Sequence, residues 1–261
     1  MFRLLFQATI VLSALLGSAS TAMAASYGNF TDPTGTVSYL DVRDVNGLFG
    51  APSVSLNSLD FTPTNYQAQC SQCPTGATTA DILTLDIQTI SGRQIDEILI
   101  SEGLDYALSS FDTAGFASAI GTANIFIDVV EINGVSVNGI NSNAAISFTR
   151  TNLAGSTQSN NQSVFGFAID NGVFTGTRAI DIQQIILGAG AIGVATRVRI
   201  SLDNTLQVFH VGGGGQAQLR KRDTDFVSLT INGGLPIPEP TTAVLLMGGL
   251  AVLAGQRRRP N

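Results

Sequence analysis

The chain has 261 residues, of which 12% are charged and 44% hydrophobic, with 28 glycines, no tryptophan, two cysteines and one histidine. Charged residues make up roughly a quarter of an ordinary soluble domain, so this composition suggests that part of the chain is not ordinary soluble surface. Of the 13 basic and 19 acidic residues, Arg3, Arg257, Arg258, Arg259 and Glu239 belong to the two ends, which leaves 9 basic and 18 acidic residues between Ala25 and Pro238, a net charge of −9. That sign repels phosphate backbones, and the one basic run, Arg220-Lys221-Arg222, is too short to reverse it; no nucleic acid is expected as a partner.

Residues 1–24 read as an export signal. Arg3 is a short positive start, Leu4 to Leu16 is apolar apart from Gln7, Thr9 and Ser13, and Ala22-Met23-Ala24 is the small-x-small pattern that signal peptidase needs, with cleavage after Ala24. A buried N-terminal helix is the alternative; the short apolar run, ending in Gly17-Ser18-Ala19-Ser20, favours the signal. Export places Cys70 and Cys73 in an oxidising compartment. Their C-x-x-C spacing lies in a polar stretch followed by Pro74 and Gly76, with no helix start to lower a thiol pKa. Pro74 stands where haem attachment needs His, and the chain has no further Cys for zinc. A short structural disulfide is the leading expectation, beside an incomplete metal or redox site and free thiols.

The body, 25–234, shows short alternating runs separated by Gly, Asn, Asp, Ser and Pro. Strands are expected over Val37 to Val42, Ser53 to Leu56, Leu59 to Thr62, Asp81 to Ile90, Ile95 to Ile100, Tyr106 to Ser109 and Ala123 to Ile132. Asn133-Gly134 is a hairpin turn, since both residues tolerate positive φ. Asn141 to Ser163 reads as a long exposed loop, followed by a strand over Val164 to Ile169. Ala179 to Leu187 carries Ile182, Ile185 and Ile186 at helical spacing and is the one helix candidate of the body. Further strands are expected over Arg197 to Leu202, Leu206 to Val211 and Val227 to Ile231, with Asp203-Asn204 a turn between the first two and Gly212 to Gly215 a flexible break. About ten short strands with turn signals every 8 to 12 residues or so point to an all-β fold, a single antiparallel β-sandwich domain.

Chemistry-bearing residues are sparse. Gly212 to Gly215 lacks the Lys that a phosphate-cradling loop uses. His210 is the one possible histidine base, and no G-x-S-x-G accompanies it. Asp96, Glu97, Glu102 and Asp105 are the carboxylates to consider for glycoside hydrolysis, which needs two facing across a cleft. Asp41, Asp44, Asp223 and Asp225 are weak calcium candidates without the D-x-[DN]-x-[DN]-G loop. Neither a metal nor a cofactor is expected. Without Trp, Tyr27, Tyr39, Tyr66 and Tyr106 are the aromatic candidates for stacking on sugars.

At the C-terminus, Pro238-Glu239-Pro240 precedes the uncharged stretch Thr241 to Gly255 and the cluster Arg257, Arg258 and Arg259. As a helix the stretch would span roughly 22 Å against a hydrocarbon core of roughly 30 Å, a marginal anchor whose arginines hold its end in the cytoplasm and offset part of the mismatch. The three-part order over 235–261 resembles the PEP-CTERM sorting signal of Gram-negative bacteria. The resemblance implies processing by exosortase, a membrane transpeptidase that reads the tripeptide; two prolines keep the site extended and outside the helix. A Pro-rich linker before a permanent anchor is the alternative. Tyr27-Gly28-Asn29-Phe30, Leu48-Phe49-Gly50-Ala51-Pro52, Ser101 to Tyr106 and Leu202 to Leu206 are similar to segments of PEP-CTERM-bearing β-sandwich proteins, a likeness that implies association with cell surface and extracellular polysaccharide.

The expectation is therefore an exported, non-enzymatic surface or extracellular-matrix protein with a structural or adhesive role in exopolysaccharide or biofilm. Its partners are signal peptidase and exosortase during processing, the inner membrane transiently, and extracellular polysaccharide. A carbohydrate-binding module is the alternative and a glycoside hydrolase the third reading.

Overall fold

The structure is a computed structural model that describes residues 24–90, 93–222 and 228–233, the last of these as backbone. Ala22, Pro238, Glu239, Pro240, Arg257, Arg258, Arg259 and the Asp223-Thr224-Asp225 segment lie outside the described residues.

Among the described residues, fifteen strands and one helix follow in chain order: β1 (Ala25–Thr31), β2 (Val37–Asp44), β3 (Ser53–Ser55), β4 (Ser58–Asp60), β5 (Gln67–Cys70), β6 (Cys73–Thr89), β7 (Ile95–Ile132), β8 (Val135–Ser136), β9 (Asn141–Ala145), β10 (Phe148–Asn152), β11 (Gly155–Gln158), β12 (Asn161–Asp181), α1 (Ile182–Gly188), β13 (Ala195–Val211), β14 (Gly215–Lys221) and β15 (Ser228–Gly233). The all-β expectation holds, with strands longer and more numerous than the sequence runs imply. Ile95 to Ile100, Tyr106 to Ser109 and Ala123 to Ile132 fuse into the single strand β7.

The strands form one continuously hydrogen-bonded network, which β7 folds into two layers, called here the two sheets. The second part of β7 pairs with β13, from Arg197 opposite Glu131 to Val211 opposite Phe116. Partner numbers fall as β13 advances, so this pair is antiparallel along its length. The sheet continues outward from β13 through β6 and β2 to β1, and β9 flanks β7 on the other side. The first part of β7 pairs with β12, β14 and β15 in the second sheet, which extends through β10 to β11 on one side and through β5 and β4 on the other. Between the two parts the inward-facing set changes parity: Ile98, Ile100, Glu102, Leu104, Tyr106 and Leu108 are buried first, then Ala117, Ala119, Ala123, Ile125, Ile127 and Val129. A strand presents alternate residues to one face, so the switch marks the corner where β7 turns from one sheet to the other. Strand β12 turns with it at Gly166, φ 66°, where the register jumps from Phe165 opposite Phe116 to Phe167 opposite Phe111. Across the core a Cβ on Gly121 would lie 2.3 Å from Leu104 Cδ1, so the glycine leaves the space that the Leu104 side chain fills.

Three local expectations are corrected. Asp203-Asn204 is no turn: both lie inside β13, and Asn204 is buried, its amide donating to Glu102 Oε1 at 3.2 Å. The Asn141 to Ser163 stretch is not a loop but holds β9, β10, β11 and the start of β12, where hydroxyl-rich residues pair as a hairpin from Thr149 opposite Gln158 to Asn152 opposite Gly155. The helix is shorter than Ala179 to Leu187, because Asp181 ends β12 and caps α1 by accepting from Gln184 N at 2.8 Å. The Asn133-Gly134 hairpin is present, with both residues at positive φ.

An ion pair is sealed in the core. Lys221 Nζ donates to Glu102 Oε2, and both side chains are fully buried. The ammonium also sits over the rings of Phe49, at 5.0 Å, and Tyr66, at 5.6 Å. Tyr66 OH donates to Asn204 O at 2.5 Å. Phe49 is delivered by a loop wrapped on two buried carboxylates: Asp44 accepts from Gly47 N and Phe49 N, each at 2.9 Å, and Asp81 accepts from Val45 N, Asn46 N and Leu48 N at 3.0, 2.9 and 2.9 Å. Burial raises the Asp81 pKa, with the neighbouring Asp44 adding to it, while the amides oppose the rise. Burial lowers the Lys221 pKa and Glu102 opposes that.

Two outcomes follow for stability. Lys221→Met strands a buried carboxylate and should cost about 3–5 kcal/mol in urea denaturation, whereas adding Glu102→Leu should recover most of the loss; additive losses would contradict the pairing. Burial also raises all four tyrosine pKa values above the ordinary 10.0. Their unfolded forms ionise first, so the stability they lend is intact below pH 10 and falls above it, and tyrosinate absorbance should appear together with unfolding rather than before it.

Candidate functional site

The outer face of the β6–β13–β7 sheet carries an ordered polar ladder. Alternation turns Asn124, Phe126 and Asp128 outward while Ile125, Ile127 and Val129 enter the core. Register then aligns cross-strand rows. One runs Asp86, Arg199, Asp128, Asn141, and the next runs Thr84, Ser201, Phe126, Asn143. Neighbouring strands lie about 4.8 Å apart, so each row is a line of hydrogen-bonding groups, and the second contains a half-exposed ring, Phe126 at 49%. The β13, β7 and β9 members of the rows floor an open groove of about 730 Å³ lined also by Gly139 and Ser142.

Asp86 lies beside the groove, next to Arg199 in the same row, and holds that guanidinium in place. It accepts from Arg197 Nε and Nη2 at 2.9 and 2.6 Å and from Arg199 Nε and Nη2 at 2.7 and 3.2 Å. Arg197 also meets Glu131 at 3.5 Å. The hydrogen bond to Asp86, then its charge, raises the Arg199 pKa. With Asp86 clamped between two guanidiniums, the groove offers fixed donors and acceptors around a ring face, which is the chemistry of recognising a hydroxyl-rich ligand.

The candidate carboxylates are not gathered in one cleft. Glu102 faces inward onto Lys221; Asp96 accepts from Gln94 at 2.7 Å; Asp105 pairs with Arg220 at 3.2 Å and Arg222 at 3.4 Å. Alternation thus divides the basic run as well, Lys221 inward and its neighbours outward. The tyrosine candidates are corrected too. Tyr39, Tyr66 and Tyr106 are buried, and Tyr27 is half-buried with its hydroxyl on Asp44 at 3.0 Å. Among the described residues the exposed aromatics are phenylalanines: Phe126 in the groove, and Phe111, Phe165 and Phe167 at the corner of β7 and β12.

His210 is fully buried in line with Leu206 and Val208, and its Nδ1 accepts from Gln72 N at 2.9 Å. It therefore supports the turn in which Cys70 and Cys73 are disulfide-bonded, joining β5 to β6. Asp41 pairs with Arg43, and Asp44 serves the Phe49 loop. Among the described residues no cluster of three His, Cys, Asp or Glu side chains could hold a metal ion. Gly212 to Gly215 turn the chain from β13 to β14, with Gly213 N donating to Asp112 at 2.9 Å.

Phe126, Asp128, Asn143, Arg199 and Ser201 escape a reading of sequence motifs. One signal was present: in Ala123 to Ile132 a phenylalanine occupies a position whose neighbours of the same parity, Asn124 and Asp128, are polar.

No family model and no curated protein matches the chain. Among solved structures it is similar to a meso-active, thermostable cellulase derived from Cel12A of Rhodothermus marinus, at 14% identity over 80% of this chain and 98% of that one, with a TM-score of 0.21. It is also similar to a family 12 xyloglucanase from Bacillus licheniformis, at 11% identity over 80% and 98%, with a TM-score of 0.20. The VP2 subviral particle of infectious bursal disease virus follows at 10% identity over 85% and 59%, with a TM-score of 0.14. No residue role is carried over from structures so distant.

Proposed function

We propose that the protein is an exported, non-enzymatic β-sandwich sorted to the cell surface or extracellular matrix through a C-terminal signal of PEP-CTERM type. The observation that carries this reading is the order Pro238-Glu239-Pro240, the uncharged Thr241 to Gly255, and Arg257, Arg258 and Arg259. Signal peptidase acts at Ala22 and Ala24, the arginines hold the tail end in the cytoplasm, and exosortase acts at the tripeptide, so the anchor is transient. Replacing Pro238, Glu239 and Pro240 together by alanine should shift the protein from the surface fraction to the inner-membrane fraction. An unchanged distribution would contradict sorting through this motif.

A second reading, binding of matrix polysaccharide, is favoured by the Phe126 groove. Its ring, hydroxyl, carboxamide and guanidinium groups suit a neutral sugar chain, because net charge −9 opposes an acidic one. Phe126→Ala removes an exposed ring, so the fold should be kept while retardation in polysaccharide-containing native gels is lost. Retardation equal to that of the unsubstituted protein would contradict a role for the groove.

A further inference from the structure

The two ends of the sandwich differ. Connections at one end are tied closely together: Ala195 lies opposite both Ile95 and Ile132, Asn133 N donates to Val194 O at 3.0 Å, and Thr89 Oγ1 donates to Thr196 O at 3.3 Å. Four large apolar side chains are exposed in these connections, Ile192 at 92%, Val135 at 66%, Leu187 at 61% and Ile90 at 46%. Leu187 is on the open side of α1, whose Ile182 and Ile186 are buried.

The chain leaves the fold at this same end. The last residue of β15, Gly233, pairs with Ile95. Seven residues, 234–240, separate it from the uncharged stretch that starts at Thr241. Fully extended they reach about 25 Å. Whatever holds Thr241 to Gly255 is therefore within about 25 Å of Gly233, at the end of the sandwich that carries the four apolar side chains. The corner that carries Phe165 and Phe167 lies at the far end of the 17-residue β13, about 55 Å away along the strand.

We infer that this end of the sandwich docks on the lipid surface in which the tail is anchored, with Ile90, Val135, Leu187 and Ile192 entering the headgroup region and the Phe165 corner pointing away. The inference rests on the reading of Thr241 to Gly255 as a membrane segment. Separate apolar side chains on adjoining connections add their transfer free energies at an interface, and the tether holds them close enough to use it. Charges at this end are mixed, Arg93 and Arg197 together with Asp96, Glu97, Glu131 and Asp181, so the contact is apolar and suits zwitterionic headgroups.

The lack of tryptophan makes the test clean. Three single reporters, Ile192→Trp, Phe165→Trp and Leu246→Trp, are placed in the full chain and reconstituted with phosphatidylcholine vesicles containing lipids brominated near the headgroup end of the acyl chains. Docking predicts that the reporters at 192 and 246 lose emission and that the one at 165 does not. If 246 is quenched while 192 behaves like 165, the docking is overturned and the membrane tail stands. If 246 is not quenched, the tail reading fails and the docking with it. Quenching at 165 as well would mean a body lying flat on the lipid, and a blue shift at 192 without quenching would mean that protein, such as a second copy, covers this end; either result overturns the docking.

Discussion

The Glu102–Lys221 pair is the interaction on which the arrangement of the sandwich depends. A buried carboxylate and ammonium tolerate burial only with each other and with further hydrogen bonds. Glu102 satisfies the condition from the centre of one sheet, Lys221 from the last residue of β14, and Asn204 from the opposite sheet. Phe49 and Tyr66 close over the ammonium, and the loop that bears Phe49 is held by Asp44 and Asp81. A charge that must find its partner favours the register that brings Lys221 to Glu102. The pair thus sets how β14 lies on β7 and how the two sheets face, at a cost in desolvation that Lys221 shows in its lowered pKa.

From that core the outer surfaces follow by alternation. Once Ile125, Ile127 and Val129 are inside, Asn124, Phe126 and Asp128 must be outside, and antiparallel register sets Arg199 and Ser201 beside them. Once β7 turns through its corner, both sheets run between the same two ends, one bearing phenylalanines and the other the connections from which the chain departs. The groove on the sheet face and the apolar end near Gly233 are separate surfaces, so a tether at one leaves the other open to a ligand.

Much of the fold was legible in the sequence, and the failures have physical causes. Alternating runs located the long strands, and Asn133-Gly134 announced its hairpin because positive φ is inexpensive there. Asp203-Asn204 misled because a dipeptide that turns in isolation was overridden by a tertiary partner, Glu102. Asn141 to Ser163 misled because edge strands made of Ser, Thr, Asn and Gln carry no hydrophobic period. The tyrosines misled because residue type does not tell which face of a strand goes inward; burial sent them to the core and left phenylalanine outside. The groove is a product of register across three strands, β13, β7 and β9, which no local pattern encodes.

In the proposed function, a β-sandwich with its charges largely committed to its own architecture is joined to terminal segments that would deliver it and then be removed. Arg199 and Asp86 illustrate the first part, since each is already engaged within the sheet face. Pro238, Glu239, Pro240 and the arginine cluster illustrate the second. The most direct measurement is the intact mass of the unsubstituted protein recovered from the cell surface. The account predicts a chain that starts at Ala25 and has lost Arg257, Arg258 and Arg259; a surface form that begins at Met1 or retains the arginine cluster would contradict it.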